Sequence, residues 1–378
     1  MSRRGAVGRG LHVAATVHRL AGLQTGVARY VRAVLDCWAL DRPEGIATVE
    51  LFSPRPIDAP SAPWFRVRPE SSRMPPLAWE NLVLPRRLGA ADVLWATSFT
   101  APIVGRGLPV VLVVYDALQA LRPRDFGWKG RAISLPLMRR SARQATLVVT
   151  ISEASRQDIV EAFGVDPSRI RLVPGGVGPP FRPRPDLDGD WVRATVGIGP
   201  GPFLLCVGKL SKRRNIAALI TAAGSLTRQG FPHGLVLVGT NYLGLPIADL
   251  ARSAGARVVH LEYVPDELLV GLYNEADLLV QAAVYEPFSL PVLEAMACGL
   301  PVVASASPGL RATAGAVARY AEDVSATGLA ASIAGALGDR SFRSEAAGAG
   351  PRRAAEFSWA AQATRMAACL VEAHERDT

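Results

Sequence analysis

Three observations on this 378-residue chain predict an α/β protein of two doubly wound domains. The length exceeds what one ordinary hydrophobic core serves, so two domains are expected. The chain opens as strand, glycine loop and helix, the start of a doubly wound domain. Between its halves lies 175–202 (GGVGPPFRPRPDLDGDWVRATVGIGPGP), so dense in Pro and Gly that a linker belongs there.

Taken in order, 11–17 (LHVAATV) reads as a buried strand. Gly22 and Gly26 then make a loop whose backbone can approach a ligand closely, or serve packing alone, before helical spacing at 27–38. Apolar runs at 47–52, 93–96 and 110–114 read as strands, the last ending at Tyr115-Asp116. Segment 126–145 (FGWKGRAISLPLMRRSARQA) mixes Phe126, Trp128, Ile133 and Met138 with Lys129, Arg131, Arg139, Arg140 and Arg143. Such a basic amphipathic segment suits an anionic membrane surface or packs its aromatics on the core, and Pro136 is expected to interrupt the helix. A strand at 146–151 precedes a helix opened by Ser152-Glu153.

The second half starts with a strand at 203–207, then Gly208 and the cluster Lys209, Lys212, Arg213, Arg214, Asn215 before a helix from Ile216. Four cations between a strand end and a helix start are placed to neutralise a diphosphate, although a charge run also describes a solvated face. Strands at 235–238 and 258–261, the latter followed by Tyr263-Val264, lead to a helix at 266–273 and strands at 278–280 and 301–304. An alanine-rich helix covers 326–337, and Phe357-Ser358-Trp359 opens the last one.

The stretch 281–303 (QAAVYEPFSLPVLEAMACGLPVV) carries most of the chemistry. Ser289 suits an N-cap and Pro291 the first turn, while Gly299 and Pro301 close the helix. Glu286 then lies just before a helix start and Glu294 inside it. A helix start attracts phosphate, and carboxylates beside it accept bonds from hydroxyls attached to that phosphate. An ordinary strand–loop–helix unit with two surface glutamates has the same spacing.

Composition bounds the rest. Hydrophobic residues at 49% and charged residues at 20% describe a folded chain. No apolar run approaches the ~20 residues of a membrane span, no signal peptide is expected, and four scattered cysteines suit a reducing, cytoplasmic setting. The net charge of +9 falls entirely in 1–190, which hold 26 Lys+Arg against 17 Asp+Glu. That asymmetry fits an anionic partner or an arginine-rich solubilising surface. The DLD and DGD triplets at 186–190 look like metal-binding carboxylates, but their turn-rich setting reads as loop.

The runs LYNEADLLVQAAVYEPFSLPVLEAMACGLPVVAS, FLLCVGKLSKRRNIAALITAA, VVTISEASRQDIVEAFGVDPSRIRLVPGGV and GLQTGVARY span nearly the whole chain. In order and content they resemble retaining glycosyltransferases of the GT-B fold, glycosyltransferase family 4, with second-domain motifs like those of mannosyl- and rhamnosyltransferases. The resemblance implies two Rossmann-like domains facing a central cleft: an acceptor-side domain at 1–178, a linker at 179–202, a nucleotide-sugar domain at 203–355 and a helix at 356–378 crossing back. It implies that Glu286 contacts the transferred sugar and Glu294 the donor ribose. Lys209 and Arg214 match the two diphosphate-binding cations with identities exchanged. Gly208, Ser289 and Leu290 fall at the donor phosphates, Tyr263 and Val264 at the base, and Gly22 and Gly26 in the loop facing phosphates and acceptor. Tyr115-Asp116 stands where the family usually has His-Asp at the sugar, and a tyrosine does not share histidine's proton chemistry near neutral pH. Arg311-Ala312 replaces a common Pro-Glu pair.

The implied activity is metal-independent transfer of a hexosyl unit, mannose favoured, from a nucleoside diphosphate sugar to a glycan, lipid-linked or natural-product hydroxyl. No cofactor and no nucleic-acid partner is expected, and the setting is cytoplasmic with a peripheral membrane contact through 126–145. A nucleotide-sugar hydrolase or epimerase, or a catalytically silent binding protein, stands as the alternative.

Overall fold

Strands covered on both faces read as near-continuous aliphatic runs, and Val111, Leu112, Val113, Leu147, Val148 and Val149 are each 0% exposed. The computed structural model describes residues 10–22, 26–103 and 107–377. They form two wholly parallel sheets. The first contains β1 (Leu11–Thr16), β2 (Ile46–Ser53), β3 (Phe65–Pro69), β4 (Val93–Ala96), β5 (Val110–Val113), β6 (Leu147–Thr150) and β7 (Ile170–Leu172). Its order is β3-β2-β1-β4-β5-β6-β7. The second contains β8 (Phe203–Val207), β9 (Gly234–Val238), β10 (Val258–Leu261), β11 (Leu278–Gln281), β12 (Val302–Ser305) and β13 (Arg319–Ala321). Its order is β10-β9-β8-β11-β12-β13.

Each sheet starts in the middle and winds outward both ways. Connections therefore diverge at one place per sheet, between β1 and β4 and between β8 and β11. Ligands of such sheets gather beyond the strands' carboxyl ends at that point.

Two units account for the chain: Met1–Gly175 with Trp359–Thr378, and Gly176–Ser358. In the first, helix Gly26–Leu40 buries Ala28, Tyr30, Val31, Val34, Leu35 and Trp38, the three-and-four spacing of one helical face. The Trp38 indole lies 5.0 Å from the Trp95 ring and donates to the Ala363 carbonyl at 3.1 Å. That bond and the Arg171 Nε to Glu372 Oε2 bond of 2.9 Å seat helix Trp359–Asp377 in this unit. In the second unit Leu205, Val236 and Leu279 face Leu272, Val292 and Met296 on one side. Leu204, Leu237 and Leu278 meet Leu219 and Ile333 on the other.

Every strand expected from an apolar run forms, within one residue at either end. β3, β7 and β13 carry no such signal: they are edge strands with interleaved arginines (FRVRP, IRL, RYA) and so lack a continuous apolar run. Gly26, expected in the loop, is the first residue of the helix, and Leu23, Gln24 and Thr25 lie outside the described residues. Pro136 does not interrupt its helix. The chain is helical from 128 to 144, with a π turn at Gly130–Ser134 directly ahead of helix Leu135–Gln144. A π turn widens the backbone where the proline ring would otherwise strike the preceding carbonyl. The 179–202 segment folds with the second unit and holds helix Gly189–Val196, whose Val192 is fully buried. Asp188 caps that helix, accepting from Trp191 N at 3.1 Å, and Asp186 pairs with Arg184 at 2.9 Å.

Candidate functional site

At the second divergence point, β8 ends in Val207 and β11 in Gln281, and the loops beyond them carry Arg213, Arg214 and Glu286. Gly208 holds φ +128, and a Cβ there would lie 2.8 Å from Arg214 Nη2. Only glycine lets the Arg214 guanidinium lie so close to the strand end. A 3-10 turn, Lys212–Arg214, ends at Asn215 with φ +57, a left-handed conformation that asparagine tolerates. Asn215 Nδ2 anchors the turn on the Val324 carbonyl at 2.8 Å.

The turn delivers two guanidiniums to one carboxylate. Arg214, 8% exposed, donates to Gln281 Oε1 at 2.7 Å and lies 3.1 Å from Glu286 Oε2. Arg213 donates to the same Glu286 oxygen at 2.8 Å and to the Tyr285 carbonyl at 2.9 Å. Glu286 itself is 4% exposed. Val284 N donates to the Arg213 carbonyl at 2.8 Å, which stitches the β8 and β11 loops together. Burial pulls the Arg214 guanidinium below its ordinary value, and the Glu286 charge opposes that pull.

Helix Leu290–Ala297 starts directly after this carboxylate, with proline in its first turn. Ser289 stands at the N-cap as expected, but its hydroxyl makes no capping bond; Oγ is buried and has no hydrogen-bond partner among the described residues. Glu294, 3% exposed, accepts from the Tyr273 hydroxyl at 2.8 Å. Helix Asp266–Glu275 supplies that tyrosine. Lys209 is exposed, with Nζ 3.6 Å from the Tyr242 ring centroid. Beyond β10, Tyr263 is 70% exposed and Val264 7%. The structure thus brings Gly208, Arg214, Glu286, Ser289 and Leu290 to one strand-end region of the second unit, with Glu294 one turn deeper.

The residues expected from the first unit are placed differently. Tyr115 is buried, its hydroxyl donating to the Thr97 carbonyl at 3.0 Å and its ring 5.4 Å from both Tyr30 and Phe99. Burial holds that phenol far above its ordinary value. Its hydroxyl serves the main chain. Asp116 Oδ1 accepts from Leu118 N at 2.9 Å, a local turn contact. Gly22 has φ +111 and leads into undescribed residues. Arg311 pairs with Glu322 and stacks 4.5 Å over Tyr320, so it serves the surface beside β13.

Sequence reasoning gave no role to Gln281, Tyr273 or Tyr242. Gln281 carried a signal, a polar residue closing the apolar run LLVQ; the tyrosines carried none. Among the described residues no group of three or more His, Cys, Asp or Glu side chains could hold a metal ion. What the arrangement can do is bind an anion next to hydroxyl groups. Arginines and a helix start meet at one strand end, with carboxylates beside them.

Comparison with known proteins follows the same division. A family model described as Glycosyltransferase Family 4 matches residues 11–179, and one described as Glycosyl transferases group 1 matches 193–353. The O-antigen chain mannosyltransferase B of Escherichia coli is 32% identical over 225 residues, 58% of this chain and 58% of that protein. The chain spans about half the length of the curated relatives it matches. Among solved structures, the sucrose-phosphate synthase of Thermosynechococcus elongatus aligns with TM-score 0.75 at 21% identity, covering 94% of this chain and 97% of its own. HepE of Anabaena, in complex with UDP-glucose, aligns with TM-score 0.73 at 19% identity, covering 96% and 99%. These two likenesses show the fold.

Proposed function

The chain belongs to the family 4 glycosyltransferases of the GT-B fold, and on that premise we propose that it moves a hexosyl unit, mannose favoured, from a nucleoside diphosphate sugar to an acceptor hydroxyl with retention of configuration. The carrying observation is the buried Glu286 carboxylate held by Arg213 and Arg214 immediately before a helix start whose Ser289 hydroxyl is unpartnered. A buried hydroxyl without a partner calls for a water, an ion or a ligand to complete it; the Thr150 and Ser307 hydroxyls share that state, and Ser289 differs in standing at a helix start beside the Glu286 carboxylate. The acceptor is a glycan, a lipid-linked sugar or a natural product.

In this reading the diphosphate sits over the Ser289–Leu290 helix start. Lys209 and the arginines stabilise charge as it develops on the leaving group, which needs no metal. The bond from the anomeric carbon to the diphosphate oxygen breaks while a bond to the acceptor oxygen forms on the same face. The acceptor proton passes to the departing phosphate oxygen. Glu286 accepts from sugar hydroxyls and Glu294 from the ribose, for which Tyr273 presently competes.

Thermal unfolding with GDP, UDP, dTDP and ADP, each alone and as sugar conjugates, tests the donor. A ligand at 100 times its Kd adds about 2.7 kcal/mol, a shift of a few degrees. One responsive base assigns the donor class, and no response to any of them removes the reading. Glu294→Ala is expected to weaken donor binding and Glu286→Ala to cut turnover. Unchanged affinity and activity in both would discard these assignments.

A peripheral membrane contact has its own support. Trp128 is 64% exposed and Ile133 45%, on a helix that also exposes Lys129, Arg131, Arg139 and Arg140. Exposed apolar groups among cations suit an anionic lipid surface. Co-sedimentation with phosphatidylglycerol vesicles, but not phosphatidylcholine vesicles, is expected, and Trp128→Ala with Ile133→Ala should reduce it. Equal sedimentation of parent and double variant counts against the contact.

A further inference from the structure

The loop after β9 is built to hold one side chain. Leu210 N donates to the Thr240 carbonyl at 3.0 Å, tying the ends of β8 and β9 together beyond their last paired residues. The Asn241 side chain closes the loop in both directions, with Nδ2 donating to the Leu245 carbonyl and Oδ1 accepting from Leu245 N, each at 2.9 Å. Asn241 N reaches Glu262 Oε2 at 3.3 Å, and Tyr242 N donates to the Thr240 carbonyl at 3.0 Å. On this frame Tyr242 is 70% exposed, yet its ring centroid lies 3.6 Å from Lys209 Nζ. Burial does not explain the position of a ring so exposed. Attraction between an ammonium and an aromatic face does.

We infer that Tyr242 is a positioning residue for the donor diphosphate, acting through Lys209; the inference rests on the donor site proposed above. A lysine is a point charge on a flexible four-carbon stem, and its rotamer freedom opposes binding. Stacking on a ring fixed by its own loop confines Nζ beside the β8 carboxyl end. One side of the ammonium faces the ring. The diphosphate then meets a cation already in place.

A double-mutant cycle tests this, with GDP and UDP as probes in titration calorimetry and melting temperature recorded for each variant. Lys209→Met is expected to weaken binding of the base that the parent prefers. Tyr242→Ala should weaken it by about 2- to 5-fold, the range of an exposed cation–π contact. Tyr242→Phe, which keeps the ring, should bind like the parent. In the Lys209→Met background, Tyr242→Ala should add nothing. An equal loss in both backgrounds, a Tyr242→Phe variant as weak as Tyr242→Ala, or no loss at all with Tyr242→Ala overturns the inference while leaving the donor site standing. Unchanged affinity in Lys209→Met instead removes the phosphate site itself, and Tyr242 with it.

Discussion

Arg214 must be compensated where it sits, because a guanidinium 8% exposed has lost most of its water. Gln281 and Glu286 supply that compensation at 2.7 and 3.1 Å. Glu286→Gln keeps the shape and removes the charge. It is expected to destabilise the protein by about 3 kcal/mol, the low end for breaking a buried pair, since Arg213 is partly hydrated. Chemical denaturation should show a lower midpoint at unchanged slope, and a midpoint equal to the parent's would refute the compensation argument. Gly208→Ala acts on the same guanidinium from the other side. Its Cβ would stand 2.8 Å from Arg214 at φ +128, so a loss of about 1–3 kcal/mol is expected.

At the scale of elements, the site depends on packing of a helix that contributes no site residue. Helix Pro308–Ala314 lies against the loop carrying Glu286, and a Cβ on Gly309 would come 2.0 Å from the Glu286 carbonyl and 2.4 Å from that of Pro287. Backbone atoms cannot swing aside as a side chain can. Gly309→Ala should therefore displace the Glu286 loop and lose both stability and turnover. Surface Ala316→Gly on the following turn, by contrast, should leave turnover within about twofold, as surface changes do. Measured turnover at parental level in Gly309→Ala would show that the loop has another place to go.

For the molecule as a whole, a buried carboxyl and a half-buried imidazole of the first unit set opposing pH dependences. Burial pushes the Glu80 carboxyl up to about 7, with Thr100 and Arg19 pulling the other way, while burial and then Arg19 lower His18 to about 4. Folded Glu80 binds its proton more tightly than the unfolded chain, so its contribution is lost as pH rises from 4.5 through 7. Folded His18 binds its proton less tightly, so its contribution is lost as pH falls from 6.5 through 4. Between 4.5 and 6.5 the two slopes offset each other. Glu80→Gln should therefore gain stability relative to the parent on going from acid to neutral pH, by up to about 3 kcal/mol at about 1.4 kcal/mol per pKa unit. A difference between variant and parent that stays constant with pH would show that Glu80 does not titrate in this window.

The sequence by itself determined the strands with continuous apolar runs, the two α/β halves and the strand-end setting of Arg214 and Glu286. Burial on both faces demands continuous apolar runs such as VVLV and LLVQ, and the motifs follow strand ends directly, so both are local signals. The edge strands β3, β7 and β13 escaped because an edge tolerates the arginines that hide a strand. Only the tertiary structure decided which cation meets which carboxylate. Arg213 and Arg214 converge on Glu286 across more than 70 residues of chain, Tyr273 finds Glu294, and Tyr242 finds Lys209. Tyr115, placed by resemblance at the sugar, went instead to the Thr97 carbonyl. Such pairings are set by which strand ends lie side by side, and strand order is a property of the folded sheet that no local pattern records.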